Sequence, residues 1–281
     1  MLNLSSMLPV RIPIGGAIEA IIDFLTDNFR GFFRGISSVL EVALGGLENF
    51  LNFVPPIVLA IVLTLIAWKL ATRGVAIFTF VGMVLIDHME LWGPAMSTLS
   101  MVLFATVISI IFGVPLGILT AKNKTVRKII TPILDFMQTM PAFVYLLPAV
   151  SFFGMGQVPG LFATVIFSIP PSIRLTSLGI QQVPEELVEA ADAFGSTPKQ
   201  KLFKVQIPLA LSTIMPGINQ TIMLSLSMVV ISAMIGAGGL GREVLNGISR
   251  LWIDSAFEAG LAVVFLAMIL DKLTQSVKKD Q

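Results

Sequence analysis

Two ionisable side chains of opposite sign, Asp135 and Arg174, lie inside otherwise apolar runs of this chain, and the chemistry open to them is an ion pair at membrane depth. Asp135 falls two turns into the run from Ile129 to Phe153, and Arg174 falls near the end of the next run, Val158 to Ser177. Matching depth and opposite charge give one expectation, that the two meet and help to close a gate. The other is that Arg174 extends its stem to lipid phosphate while Asp135 caps nearby backbone. Both stay open at this level. Two further groupings look chemical and are not expected to be. Gly236, Gly238 and Gly241 spell G-x-G-x-x-G with Glu258 downstream, yet no strand precedes them, and they end an apolar run. Close helix packing or a flexible gate suits them better. His88, the single histidine, sits beside Asp87 and Glu90, too few ligands for a metal site, and reads as a solvated turn.

The elements that would hold these residues are set by composition. Of 281 residues 55% are hydrophobic and 12% charged, against about 25% charged in soluble domains. This predicts a polytopic membrane protein. A net charge of +1 argues against a nucleic-acid partner. Without cysteine there are no disulfides, thiolate metal sites or cysteine nucleophiles. Met1 to Gly16 lacks the basic start, apolar core and small-residue cleavage site of a signal peptide.

Ala17 to Leu51 shows helical periodicity with a polar stripe of Asp23, Asp27, Arg30, Arg34, Glu41 and Glu48, which predicts one or two helices lying in the interface or bracing a bundle. Apolar runs follow at Phe53–Trp68, Val75–Ile86, Ala95–Ala121, Ile129–Phe153, Val158–Ser177, Ile214–Ile235 and Ala256–Leu270. A span needs about 20 residues, so the first two form either short spans or a re-entrant hairpin. The expected fold is all-α, a polytopic helical bundle with about five core spans. Its expected parts are an amphipathic bracing segment at 1–52, an accessory hairpin at 53–92 and a core at 93–281. Proline is expected to break the core helices at Pro115, at Pro141 and Pro148, and at Pro170-Pro171.

A charged island, Val183 to Ala210, separates two of the apolar runs. Pro184 can start a helix, with Glu185 and Glu186 suited to the positive end of its dipole. Leu187, Ala190, Ala191 and Phe194 then share a face, Gly195 supplies a left-handed cap, and Ser196-Thr197-Pro198 opens a second helix with Leu202, Phe203 and Ile207 on one face. Such a pair of short helices with an apolar face suits docking into another protein. Placing the island in the cytoplasm leaves only Arg11, Arg30, Arg34, Arg242 and Arg250 of the 18 basic residues on the opposite side. The positive-inside rule thus agrees with that orientation, which also makes the C-terminal tail cytoplasmic.

Within the island, Glu189-Ala190-Ala191, Gly195, Ile207 and Pro208 resemble the Glu-Ala-Ala loop of bacterial ABC-importer permeases, with Val205 and Ile207 as conservative replacements. Thr131 to Pro148, Phe152-Phe153-Gly154, Ile169 to Arg174 and Asn219 to Gly241 resemble, more specifically, permeases of glycine betaine and proline betaine uptake systems. That resemblance runs from about Ala95 to the C-terminus. It implies a multi-pass cell-membrane permease for a quaternary ammonium solute, with an ATP-binding subunit, an extracytoplasmic binding protein, a second permease copy and the bilayer as partners. No G-x-x-x-x-G-K-[ST] occurs, so ATP and magnesium belong to the partner ATPase and this chain carries no cofactor. The coupling set is Glu189, Ala190, Ala191, Phe194, Gly195, Leu202, Ile207 and Pro208, with Phe194 and Leu202 expected in the ATPase groove. The pathway or gate set is Asp135, Gln138, Pro141, Phe143, Tyr145, Pro170, Arg174 and Asn219, with Phe152 and Phe153 as further aromatic candidates. An ion-coupled carrier is the alternative, and it leaves the island unexplained.

Overall fold

Apolar stretches of very different length follow one another along a chain in which every regular element among the described residues is a helix. The structure, a computed structural model, describes residues 14–276; Arg11, Lys278 and Lys279 of the charge count lie outside them. Two amphipathic helices come first, α1 (Ile14–Asn28) and α2 (Arg30–Phe53), followed by α3 (Pro56–Leu70) and α4 (Arg73–His88) packed on each other. The larger part comprises α5 (Trp92–Lys122), α6 (Lys124–Thr139), α7 (Leu146–Phe153), α8 (Gln157–Gln181), α9 (Glu185–Ala193), α10 (Pro198–Lys201), α11 (Ile207–Ser232), α12 (Gly239–Arg250) and α13 (Ile253–Ser276).

Among the described residues four helical stretches are long and apolar enough to cross a bilayer: α5, α8, the continuous stretch Pro198–Ile235 containing α11, and α13. The pairs α2–α3 and α6–α7 offer a long enough apolar stretch only together, bent by 99° and 111°. The α6–α7 bend falls at Pro141, where a break is expected, while Pro148 lies inside α7 and does not interrupt it. Proline disfavours helical backbone at the residue before it; Met140 is extended with ψ of 133°, and Pro141 itself follows with ψ of 137°. Pro115, Pro170 and Pro171, by contrast, lie inside unbroken helices. There the neighbours hold the helix in line, because α8 is clamped between α5 and α11 for most of its length.

That clamp is the centre of the core. Backbones approach closely on both sides of α8: a Cβ at Gly117 of α5 would stand 2.7 Å from the carbonyl oxygen of Ile173, and one at Gly217 of α11 would stand 2.8 Å from Cβ of Leu175. Small polar side chains share the seam, with Ser109 and Ser168 hydroxyls 3.1 Å apart and Ser172 donating to the Ser109 carbonyl at 3.3 Å. In an apolar medium such close packing and interhelical hydrogen bonding replace the hydrophobic effect as the cohesive force.

α2 braces this core across α5, α7 and α8. Leu40, Leu44, Leu47 and Leu51 follow a 3–4 spacing; Leu44 enters the cluster of Met101, Val102, Ala105 and Leu161, and Leu51 that of Met83, Ile86, Trp92 and Met96. Its Glu48 accepts from Gln157 Nε2 at 3.0 Å, and the same amide reaches Ser97 Oγ at 3.2 Å. The end of the bundle carrying residues 183–210 is the loop end, and the Gln157 contact marks the far end.

Candidate functional site: a docking hairpin and a membrane-depth ion pair

The island folds as a helical hairpin, α9 and α10, at the loop end. Pro184 precedes α9, and Glu185 and Glu186 occupy its first turn. Ala191 is the one buried residue of α9, while Leu187, Glu189 and Ala190 are exposed. Gly195 has φ of +74°, a conformation in which a side chain is strained. Around it Gly195 N–H donates to Asp192 O at 2.9 Å and Ser196 N–H to Ala191 O at 3.0 Å, closing the end of α9. Thr197 and Gln200 then form a reciprocal capping box with Pro198 at the first helical position. Lys201 Nζ reaches both carboxylate oxygens of Asp192 at 2.7 Å, tying the second helix back to the first. At the tip Phe194 is 91% exposed, a large apolar ring presented to water on a rigid turn.

Beyond the hairpin the helix widens into a π turn, Leu202–Gln206, in which Ile207 N–H reaches back five residues to Leu202 O. Pro208 explains it: without an N–H it cannot donate to Lys204 O, and the wider turn absorbs the mismatch. The extra residue also changes which way the side chains face. Leu202 turns inward against Ile180, Ala210 and Ile214, Phe203 is 64% exposed, and Ile207 is partly buried. This corrects the expectation that Leu202, Phe203 and Ile207 share a face and that Leu202 points outward beside Phe194.

Asp135 on α6 and Arg174 on α8 form an ion pair, the first of the two arrangements the sequence left open. Arg174 keeps its Nε buried without a partner. Beneath the pair a cavity of about 320 Å³, open to the surface, is lined by Thr120, Arg127, Thr131, Arg174, Ser177 and Gln181. Arg127 closes its loop end by donating to the carbonyls of Thr120 at 3.2 Å and Ala121 at 2.7 Å, the C-terminus of α5. Gln138 is exposed on α6, Pro141 marks the bend, and Pro170 is buried in α8.

The aromatic candidates separate. Phe143 is 55% exposed. Tyr145 is buried, its hydroxyl donating to Met137 O and its ring edge-on to Phe167 at 5.8 Å. Phe152 and Phe153 belong to a cluster with Phe33 and Phe162, and the Phe33–Phe152 stack at 4.6 Å covers one face of Phe152. Asn219 turns toward α13, donating to Asp271 Oδ1 at 2.9 Å, where Gln275 also donates at 2.6 Å. Asp271 and the Asp192–Lys201 contact escaped sequence reading. Neither follows helical periodicity, and Asp271 looks from sequence like the polar end of a span. Gly236, Gly238 and Gly239 all have positive φ and make the turn into α12, and Gly241 packs on the backbone of Val230.

The arrangement is a bundle of membrane-length helices with one short helical hairpin, tipped by the exposed Phe194, at its loop end. The chain belongs to the family of binding-protein-dependent transport system inner membrane components, whose model matches residues 113–279. It is 53% identical over 95% of both chains to the glycine betaine transport system permease protein OpuAB of Bacillus subtilis. It is 49% identical to the glycine betaine/proline betaine permease ProW of Escherichia coli, over 96% of this chain and 76% of that one. Against the glycine betaine/carnitine permease GbuB of Listeria monocytogenes it is 49% identical, over 95% of this chain and 96% of the relative. The fold is similar to a chain of the MetNI methionine ABC transporter in an inward-facing conformation, with a TM-score of 0.60 and 20% identity over 66% of this chain and 95% of that one.

Proposed function

We propose that this chain is the permease subunit of an ATP-driven importer for glycine betaine and related quaternary ammonium zwitterions. The observation that carries the coupling part is Phe194, 91% exposed on a turn fixed by Gly195, the capping box and the Asp192–Lys201 contact. Such a ring costs free energy in water and recovers it in a partner's groove. The substrate class rests on the three permease relatives named above. In this reading the hairpin and the C-terminus are cytoplasmic, in line with the distribution of Lys and Arg.

Glu189, Ala190 and Ala191 form the helix that presents Phe194, and Gly195 permits the turn. Because each chain supplies one hairpin and ATPase subunits act in pairs, two copies meet at a two-fold axis and enclose the passage. A separate binding protein delivers the solute at the far end. ATP and magnesium are held by the ATPase partner. Closure of the ATPase pair moves the hairpin; the π turn and Pro208 pass the motion to α11, and the tight Gly217 contact passes it to α8, which carries Arg174. That closure draws the loop ends together, and when the ATPase pair reopens, separation of Arg174 from Asp135 opens the loop end. Segment 1–52 acts as brace and 53–92 as an accessory hairpin to the core 93–281.

The test is uptake of labelled glycine betaine into vesicles holding the full assembly, with ATP inside and binding protein outside. Accumulation that needs both supports the reading. Accumulation driven by a sodium or proton gradient without ATP would overturn it.

A further inference from the structure

The exposed residues of the long helices divide by chemistry. Midway along α3 they are Ile57, Val58, Ile61, Val62, Leu65 and Ile66; along α4 between its polar ends they are Ile77, Phe80, Val81, Val84 and Leu85. On α5 below its first turns they are Leu103, Val107, Ile111, Phe112, Pro115 and Leu119, and at the middle of α13 Val264 and Met268. All of these suit hydrocarbon. α11 is the exception. Between Thr213 and Ser232 only two residues are exposed, Gln220 and Ser227, and both are polar.

Seven residues apart, they lie on one face two turns from each other, and Gln220 stands at the middle of the 26-residue helix. Ser227 partly satisfies itself by donating to Met223 O at 3.0 Å. A glutamine amide cannot satisfy its two donors and its acceptor against its own helix. Side chains of this kind at mid-membrane face water or protein and not lipid. The neighbouring element points the same way. Met228, next to Ser227, packs with Tyr145, Met140 and Ala142 at the α6–α7 bend, and α6 itself exposes Asp135 and Gln138.

We propose that Gln220 and Ser227 line the water-filled solute passage, where the Gln220 amide donates to the carboxylate of a passing zwitterion and the Ser227 hydroxyl does so on turning away from Met223 O. This rests on the import reading above and adds the residues that the solute meets halfway. A carboxylate accepts from both groups, while the solute's quaternary ammonium end needs no donor. Neither donor carries charge, so contact is brief enough for transit.

The absence of cysteine from this chain makes the test direct. Gln220→Cys and Ser227→Cys are introduced singly into the full assembly, with Phe80→Cys as the lipid-facing control, and treated with a membrane-impermeant cationic thiosulfonate. Modification of this chain is read by mass. The expected result is labelling of both α11 positions but not of Phe80→Cys, slowing of that labelling by glycine betaine during turnover, and loss of uptake after labelling. Two outcomes overturn the assignment: no labelling at either α11 position in an assembly that transports normally, or labelling that neither responds to solute nor blocks uptake. Uptake by the unsubstituted assembly is measured first; a failure there strikes the import reading itself, whereas normal uptake with unreactive α11 cysteines strikes only the passage assignment.

Discussion

Lys201 holds Asp192 through both carboxylate oxygens at 2.7 Å, across the turn that projects Phe194 into solvent. The lysine side chain is 23% exposed and the aspartate 52%, so water screens the pair, and its contribution is about 0.5 kcal/mol. That is too little to decide whether the hairpin folds and enough to bias its angle. Asp192→Asn or Lys201→Met should therefore leave expression and melting temperature unchanged and lower solute carried per ATP hydrolysed by about twofold. The exchange of both charges should restore it. A purely stabilising role predicts a lower melting temperature with the transport ratio intact, so measuring both separates the two.

Gly195 is the sharper lesion. Its φ of +74° puts it in the left-handed region, and open space surrounds the place where a Cβ would sit. A Cβ there meets nothing within 4 Å, so a side chain at this position carries chiefly the backbone cost of roughly 1–2 kcal/mol. The turn should relax to another conformation and carry Phe194 with it. Gly195→Val is expected to assemble normally, hydrolyse ATP and fail to accumulate solute, while Gly195→Asn, which tolerates this conformation, should keep most activity. Equal coupling ratios for Gly195→Val and the unsubstituted protein would refute the assignment.

What the sequence disclosed and what it hid follow from the range of the interactions. The helical character, the Gly195 turn and the Pro184 and Pro198 helix starts rest on local chemistry, and they were legible from Glu185, Gly195 and Thr197. The meeting of Asp135 and Arg174 was one of two open readings, because depth along a helix can be counted while rotation about it cannot. Rotation also hid the inward turn of Leu202, since a π turn shifts the phase of everything beyond it. Proline was read too strongly: Pro170 and Pro171 are held straight by α5 and α11, contacts with no signature near the prolines themselves. Gln220 and Ser227 went unnoticed because their meaning depends on being the exposed residues of an otherwise covered helix stretch.

The α5–α8 seam can be tested by volume alone. A methyl group at Gly117 would lie 2.7 Å from both Ile173 O and Thr176 Cβ, and backbone cannot yield as a flexible side chain does. Gly117→Ala should destabilise the purified assembly by about 1–3 kcal/mol. Gly260→Ala in α13 is the matched control, because its added methyl meets nothing within 4 Å. Thermal unfolding should show a lower midpoint for the first and none for the second.

The ion pair of Asp135 and Arg174 has the properties a reversible latch requires. Arg174 is 37% exposed and Asp135 58%, so the link is worth at most about 1 kcal/mol and can be broken in every cycle. A fully buried pair would resist opening by several times as much. Breaking it by mutation should therefore cost little stability and change how well the loop end stays shut. Asp135→Asn and Arg174→Gln should each raise leakage of preloaded glycine betaine from vesicles lacking ATP by about fivefold, the factor that corresponds to the loss of such a link. Combining Asp135→Arg with Arg174→Asp should return leakage toward the starting level, since the same two positions again carry opposite charges. If both single variants stay as tight as the unsubstituted protein, the pair is structural and the closure lies elsewhere along α6.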